Sequence, residues 1–146
     1  MQKRCPICFN ELGARAKKCS GCGQILAEIH NDGFLSVGTL VNERYYIGKI
    51  FKKEPVSTVY LAYDIKTDSK VLLREFTGES FLNGEFKQTA LRERLVDRFI
   101  NYSKSLATVS LCKLFPRTVE LFLWRDNAYT VYAFFEGETL KNLLDN

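Results

Sequence analysis

Three runs decide the fold: Tyr45-Tyr46-Ile47-Gly48-Lys49-Ile50-Phe51, then Thr58-Val59-Tyr60-Leu61-Ala62-Tyr63, then Lys70-Val71-Leu72-Leu73-Arg74-Glu75-Phe76. Each is short, apolar and rich in aromatic and branched side chains, which suits a pleated, half-buried surface. Polar connections separate them, residues 52–57 and then Asp64-Ile65-Lys66-Thr67-Asp68-Ser69, so the runs read as strands joined by antiparallel hairpins.

Downstream the period changes. From about Thr89, Leu91, Leu95, Phe99, Tyr102 and Leu106 fall three or four residues apart, one apolar stripe along a helix. Arg92, Glu93, Arg94, Asp97, Arg98 and Lys104 lie largely outside it. Pro116 interrupts the chain, and two further strands are expected at 118–124 and 128–134, joined by Arg125-Asp126-Asn127. After Gly137, residues 138–144 read as the start of another helix. Three strands, a helix and two strands predict an α+β lobe: a five-stranded antiparallel sheet with one packed helix, over residues 40–146.

Upstream the chemistry is different. Cys5-Pro6-Ile7-Cys8 and Cys19-Ser20-Gly21-Cys22 are two C-x-x-C turns separated by ten residues. That spacing belongs to a structural Zn²⁺ site, where four thiolates close a tetrahedron and leave no position open for substrate. Cys5, Cys8, Cys19 and Cys22 are therefore the expected ligands of a small zinc ribbon over residues 1–27, followed by a linker at 28–39 that carries His30-Asn31-Asp32-Gly33. Iron would use the same ligands, but the aromatic enclosure usual for a redox centre is missing nearby; disulfides belong to secreted chains. Gly23 supplies the positive φ favoured after the second ligand pair, whereas Phe9 holds the equivalent place after the first. Cys112, among Val109, Leu111 and Leu114, reads as a small core residue rather than a nucleophile.

The bulk properties narrow the function. The chain has 146 residues, 46% hydrophobic and 26% charged, and no apolar run approaches the ~20 residues of a membrane helix. Met1-Gln2-Lys3-Arg4 runs into Cys5 without an apolar leader, so a reduced, cytoplasmic setting is expected. Residues 1–30 carry five basic side chains against Glu11 and Glu28, but their sole aromatic is Phe9. With little for bases to stack on, the excess reads as a solvated basic face and argues against nucleic acid. His30 is the single histidine available to any chemistry that needs an imidazole base.

The residues carry a resemblance. Leu40-Val41-Asn42-Glu43-Arg44-Tyr45-Tyr46-Ile47-Gly48, Val59-Tyr60-Leu61-Ala62-Tyr63-Asp64 and Val71-Leu72-Leu73-Arg74-Glu75-Phe76 resemble the N-terminal lobe of bacterial Ser/Thr protein kinases. The corresponding family stretches look like R-Y-x-I-G, V-Y-L-A-x-D and V-A-I-K-E-F. Ala133-Phe134-Phe135-Glu136-Gly137-Glu138-Thr139-Leu140 is similar to the fifth strand, the hinge and the opening of the next helix.

The resemblance implies a set of phosphate-handling parts, and each is altered. Lys52, Glu54 and Ser57 occupy the three glycine positions of the phosphate loop, and Glu54 sets a carboxylate where phosphate would lie. Arg74 replaces the strand lysine, a change that keeps charge but not geometry. Tyr102 stands at the place of the helix glutamate and is expected to pack within the lobe. The 146 residues contain no H-R-D loop and no D-F-G site. The resemblance thus implies a zinc-binding, catalytically inactive, pseudokinase-like module with no catalytic residues, no cofactor pocket and little use for ATP. Its expected partner is another protein or a C-terminal region of a longer parent chain, engaged through Phe134, Phe135, Leu140, Leu143 and Leu144. The alternative is the N-terminal piece of a Ser/Thr kinase that binds ATP when complete. Removal of zinc is expected to unfold residues 1–27 and leave the lobe folded.

Overall fold

A computed structural model describes residues 3–31, 35–78, 89–109 and 116–137. The strands are β1 (Leu40–Val41), β2 (Tyr45–Glu54), β3 (Ser57–Asp64), β4 (Ser69–Phe76), β5 (Thr118–Trp124) and β6 (Asn127–Ala133), with one long helix, α1 (Thr89–Val109). They form a single antiparallel sheet in the order β1-β2-β3-β4-β6-β5. Among the described residues the sheet therefore has six strands where five were expected. The extra strand is the two-residue β1, whose Leu40 and Val41 fold back on Tyr46 and Tyr45. A strand so short carries no periodicity of its own.

Two boundaries also differ. Residues 52–54, expected in a connection, continue β2, because Lys52, Lys53 and Glu54 pair with Val59, Thr58 and Ser57 and leave Pro55-Val56 as the turn. Arg125 and Asp126 take φ of 49° and 58°, the doubly left-handed turn whose twist matches its flanking strands, so Asn127 joins β6.

Alternation along the strands makes two buried faces. Tyr45, Ile47, Tyr60, Ala62, Val71, Leu73, Tyr129 and Val131 point inward to one core, with Val41, Leu35, Phe122 and Trp124 packed against it. The sheet curls so that opposite ends meet. Tyr45 of β2 stacks on Phe122 of β5 at 5.7 Å, and its hydroxyl donates to Glu120. Arg44 then ties both ends, donating to Asp64 at 2.9 and 2.7 Å and to Glu120 at 2.8 Å. Burial opposes ionisation of Asp64, but Arg44, the Thr67 hydroxyl and the Lys66 amide hold its carboxyl down to about 2.

The opposite face is shared. At the β4–β6 end, α1 lays Val96 and Phe99 on Phe76 and Ala128, and its buried Ser103 accepts from Thr130 at 2.9 Å. The buried stripe is thus Val96, Phe99 and Ser103, rotated from the expected one. Tyr102 is 55% exposed, against the expectation that it packs within the lobe. At the β2–β3 end the same face is covered by the N-terminal segment. The helix expected at 138–144, together with Cys112, Leu140, Leu143 and Leu144, lies outside the described residues.

Candidate metal centre and the cleft beside it

The two C-x-x-C turns meet as their spacing predicts. The Sγ atoms of Cys5, Cys8, Cys19 and Cys22 all lie within 4.8 Å of one another, with Cys5–Cys22 at 3.7 Å and Cys8–Cys19 at 3.5 Å. A Zn–S bond of about 2.3 Å gives a tetrahedron with edges of about 3.8 Å, so the donor set fits a closed four-thiolate site. All four are free thiols. Two matching tight turns set the cage: Phe9 N–H donates to Cys5 O and Gly23 N–H to Cys19 O, each at 2.9 Å. Both turns end at positive φ, 63° at Phe9 and 74° at Gly23. Backbone amides of Cys22 and Gly21 directed at its sulfur lower the Cys19 thiol to about 6, while burial pushes Cys8 up to about 12. The four cysteines could hold a metal ion, and binding one would displace protons from the protonated thiols.

Phe9 explains why a non-glycine tolerates the left-handed region. Its side chain is 2% exposed, wedged against Tyr46 and Tyr63 with ring centroids at 6.4 and 5.4 Å, and packed with Leu61. Burying a phenyl ring gains about 1.5–3 kcal/mol, more than the ~1 kcal/mol cost of left-handed backbone. Around it, the Arg4 guanidinium lies 4.4 Å over Tyr63, the Tyr46 hydroxyl donates to Arg4 O at 3.1 Å, and Lys49 N–H donates to Pro6 O at 3.1 Å. Gly48 is required there. A Cβ would run into the Pro6 carbonyl and lie 2.8 Å from Leu61 O and 3.0 Å from the Phe9 ring.

Asn31 completes the junction. Assigned from sequence to the linker, it is buried and accepts from Ile50 N–H at 3.1 Å while donating to Gly48 O at 2.9 Å. Sequence offered one hint of this docking: an aromatic residue where a metal turn favours glycine.

Beyond the junction on the same face lies a cleft of about 400 Å³, walled by Phe51, Val59, Leu72, Leu106 and Tyr132. At its rim Lys52, Glu54, Ser57 and Arg74 close on one another. Arg74 contacts Glu54 at 3.0 Å and donates to Ser57 Oγ at 2.8 Å, and Ser57 donates to Glu54 at 2.7 Å. Lys52 adds an ion pair to Glu54 at 3.3 Å. Burial disfavours the Glu54 carboxylate, but the Ser57 hydroxyl and Arg74 outweigh it and the carboxyl sits below its usual range. Arg74 also lies 5.2 Å from the Phe99 ring and 5.8 Å from that of Tyr102, so Tyr102 flanks the guanidinium with its ring face. Glu54 thus holds the Arg74 guanidinium and the Ser57 hydroxyl together at the cleft rim.

The curled antiparallel sheet, its helix and the cleft define an α+β, kinase-like fold. The solved apo form of PpkA-294, a bacterial kinase fragment, superposes with a TM-score of 0.61 at 21% identity. The match covers 77% of this chain and 42% of PpkA-294. No protein-family model and no curated protein matches the sequence. No helix among the described residues is long and apolar enough to cross a membrane.

Proposed function

We propose that this chain is a zinc-binding, catalytically inactive kinase-like module that acts through protein–protein interaction. The carrying observation is the closed Arg74–Glu54–Ser57 triangle at the cleft rim. Phosphoryl transfer depends on a cation and bare backbone held ready for phosphate oxygens. Here the cation on β4 is neutralised by the carboxylate that ends β2, and side chains stand in place of glycine. The four-cysteine cage favours Zn²⁺ because thiolate ligands at this spacing suit a soft tetrahedral ion with a structural role. The interaction role draws support from Phe135, 61% exposed at the end of the sheet, whereas Phe134 packs beside Lys70 on the ribbon-bearing face.

The test joins metal analysis with nucleotide binding on one purified sample. One zinc per chain and no melting shift with millimolar Mg·ATP are expected. A ligand at a hundred times its dissociation constant stabilises by about 2.7 kcal/mol, so real binding would be visible. A clear shift that Arg74→Ala abolishes would refute the inactive reading.

A further inference from the structure

We propose that the cysteine cage is a metal-dependent brace for the cleft, so that loading or losing the metal changes the geometry of β2 and not only of the ribbon. The inference rests on reading Cys5, Cys8, Cys19 and Cys22 as a metal site and deepens it by assigning what the metal controls.

The observation behind it is a break in the β2–β3 ladder. Pairing is regular as far as Ile47–Ala62, shifts before Ile50–Tyr60, and shifts again before Lys52–Val59. Across this break the β2 backbone is satisfied from outside the lobe's own hairpin. Lys49 N–H goes to Pro6 O inside the first C-x-x-C turn, and Asn31 takes Ile50 N–H and Gly48 O. A backbone group buried without a partner is costly, so the irregular course of β2 is stable only while those partners are present. Pro6 stands between ligands Cys5 and Cys8, and Phe9 directly follows Cys8. Of the groups that hold β2, Pro6 O and the Phe9 wedge belong to the loop that the cage closes, while Asn31 follows that loop in the linker.

The brace reaches the cleft by two short routes. Along β2, Phe51, Lys52 and Glu54 follow directly after the irregular segment and line the cleft. Across the sheet, Leu72 packs against the Phe9–Tyr46–Leu61–Tyr63 cluster and also forms part of the cleft wall. Without metal the first turn loses the cross-link to Cys19 and Cys22, Phe9 no longer has an imposed left-handed backbone, and the wedge leaves the sheet. The expectation that zinc removal spares the lobe gives way to one in which both respond.

The test uses the full chain, with Zn²⁺ added or removed by a chelator, and reads hydrogen exchange peptide by peptide. Metal removal is expected to accelerate exchange in residues 49–54 by about tenfold or more, and to lower the melting temperature of the sheet. Phe9→Ala, with metal bound, should reproduce both effects, and chelation of that variant should add little to exchange in 49–54. Tyr63→Ala attacks the same wedge from the lobe side and should behave alike, which separates undocking from a failure of the ribbon to fold. Metal bound at one per chain but exchange in 49–54 unchanged on its removal would overturn the brace while leaving the metal site standing. Additive effects of Phe9→Ala and chelation in 49–54 would overturn it too. Absence of metal binding would instead remove the reading on which it rests.

Discussion

Replacing Glu54 by glutamine removes one charge from the cleft rim and little else, since the amide still reaches Ser57. Glu54 and Arg74 are 25% and 14% exposed, and their contact is 3.0 Å. At an effective dielectric of 20 the bare attraction at that separation is about 5.5 kcal/mol, but desolvation of both ions and residual screening by water cancel most of it. Hydrogen bonds to charged groups contribute about 1.5–3 kcal/mol, and partial exposure places the expected loss at about 1–2 kcal/mol. In a domain of this size that is a fall in melting temperature of about 2–8 °C. A double-mutant cycle with Arg74→Gln should return an interaction energy near 1 kcal/mol, because each single variant strands the other partner. Glu54→Gln should also gain stabilisation from millimolar inorganic phosphate that the parent lacks, as Arg74 then faces the cleft unneutralised. An interaction energy below about 0.3 kcal/mol, with no phosphate response, would show that the triangle is a surface ornament and that another feature blocks nucleotide.

Acidification should weaken the lobe through Asp64: its carboxyl is depressed from 3.8 to about 2, so its stabilisation is complete above about pH 4 and is lost as pH falls through 2. The amount is about 2 kcal/mol, and Asp64→Asn should remove it at neutral pH and flatten the acid limb of a stability–pH curve. Phe99→Ala should cost about 3–5 kcal/mol in denaturant unfolding, since its ring fills the space between α1, Phe76 and the Arg74 guanidinium. Zinc affinity, read by competition with a chromophoric chelator, should fall steeply on acidification, because Cys8, raised to about 12, must give up its proton to bind. Cys22→Ser should lower occupancy further at every pH.

Much of this protein is local and therefore legible in its residues. The C-x-x-C turns close by short-range hydrogen bonds, so their spacing foretold a cage whose sulfurs now lie within 4.8 Å. The main strands announced themselves because each buries alternate side chains on two faces, and Lys52, Glu54, Ser57 and Arg74 stood out as departures from the pattern that the resemblance implies. What the tertiary structure alone decided depends on contacts between residues far apart in the chain. Arg44 finds Glu120 because the sheet curls, a property of summed strand twist and not of either segment. The stripe on α1 turned toward Val96 and Ser103 because the sheet offered Ala128 and Thr130 there, leaving Tyr102 to flank Arg74. Gly48 reads as one more strand glycine until Pro6 is seen against it, and Phe9 as a departure from a metal-turn preference until its ring is seen between Tyr46 and Tyr63. Sequence periodicity reports which face of an element is apolar; which other element comes to cover that face is set by the competition of all apolar surfaces for burial, and only the folded chain resolves it.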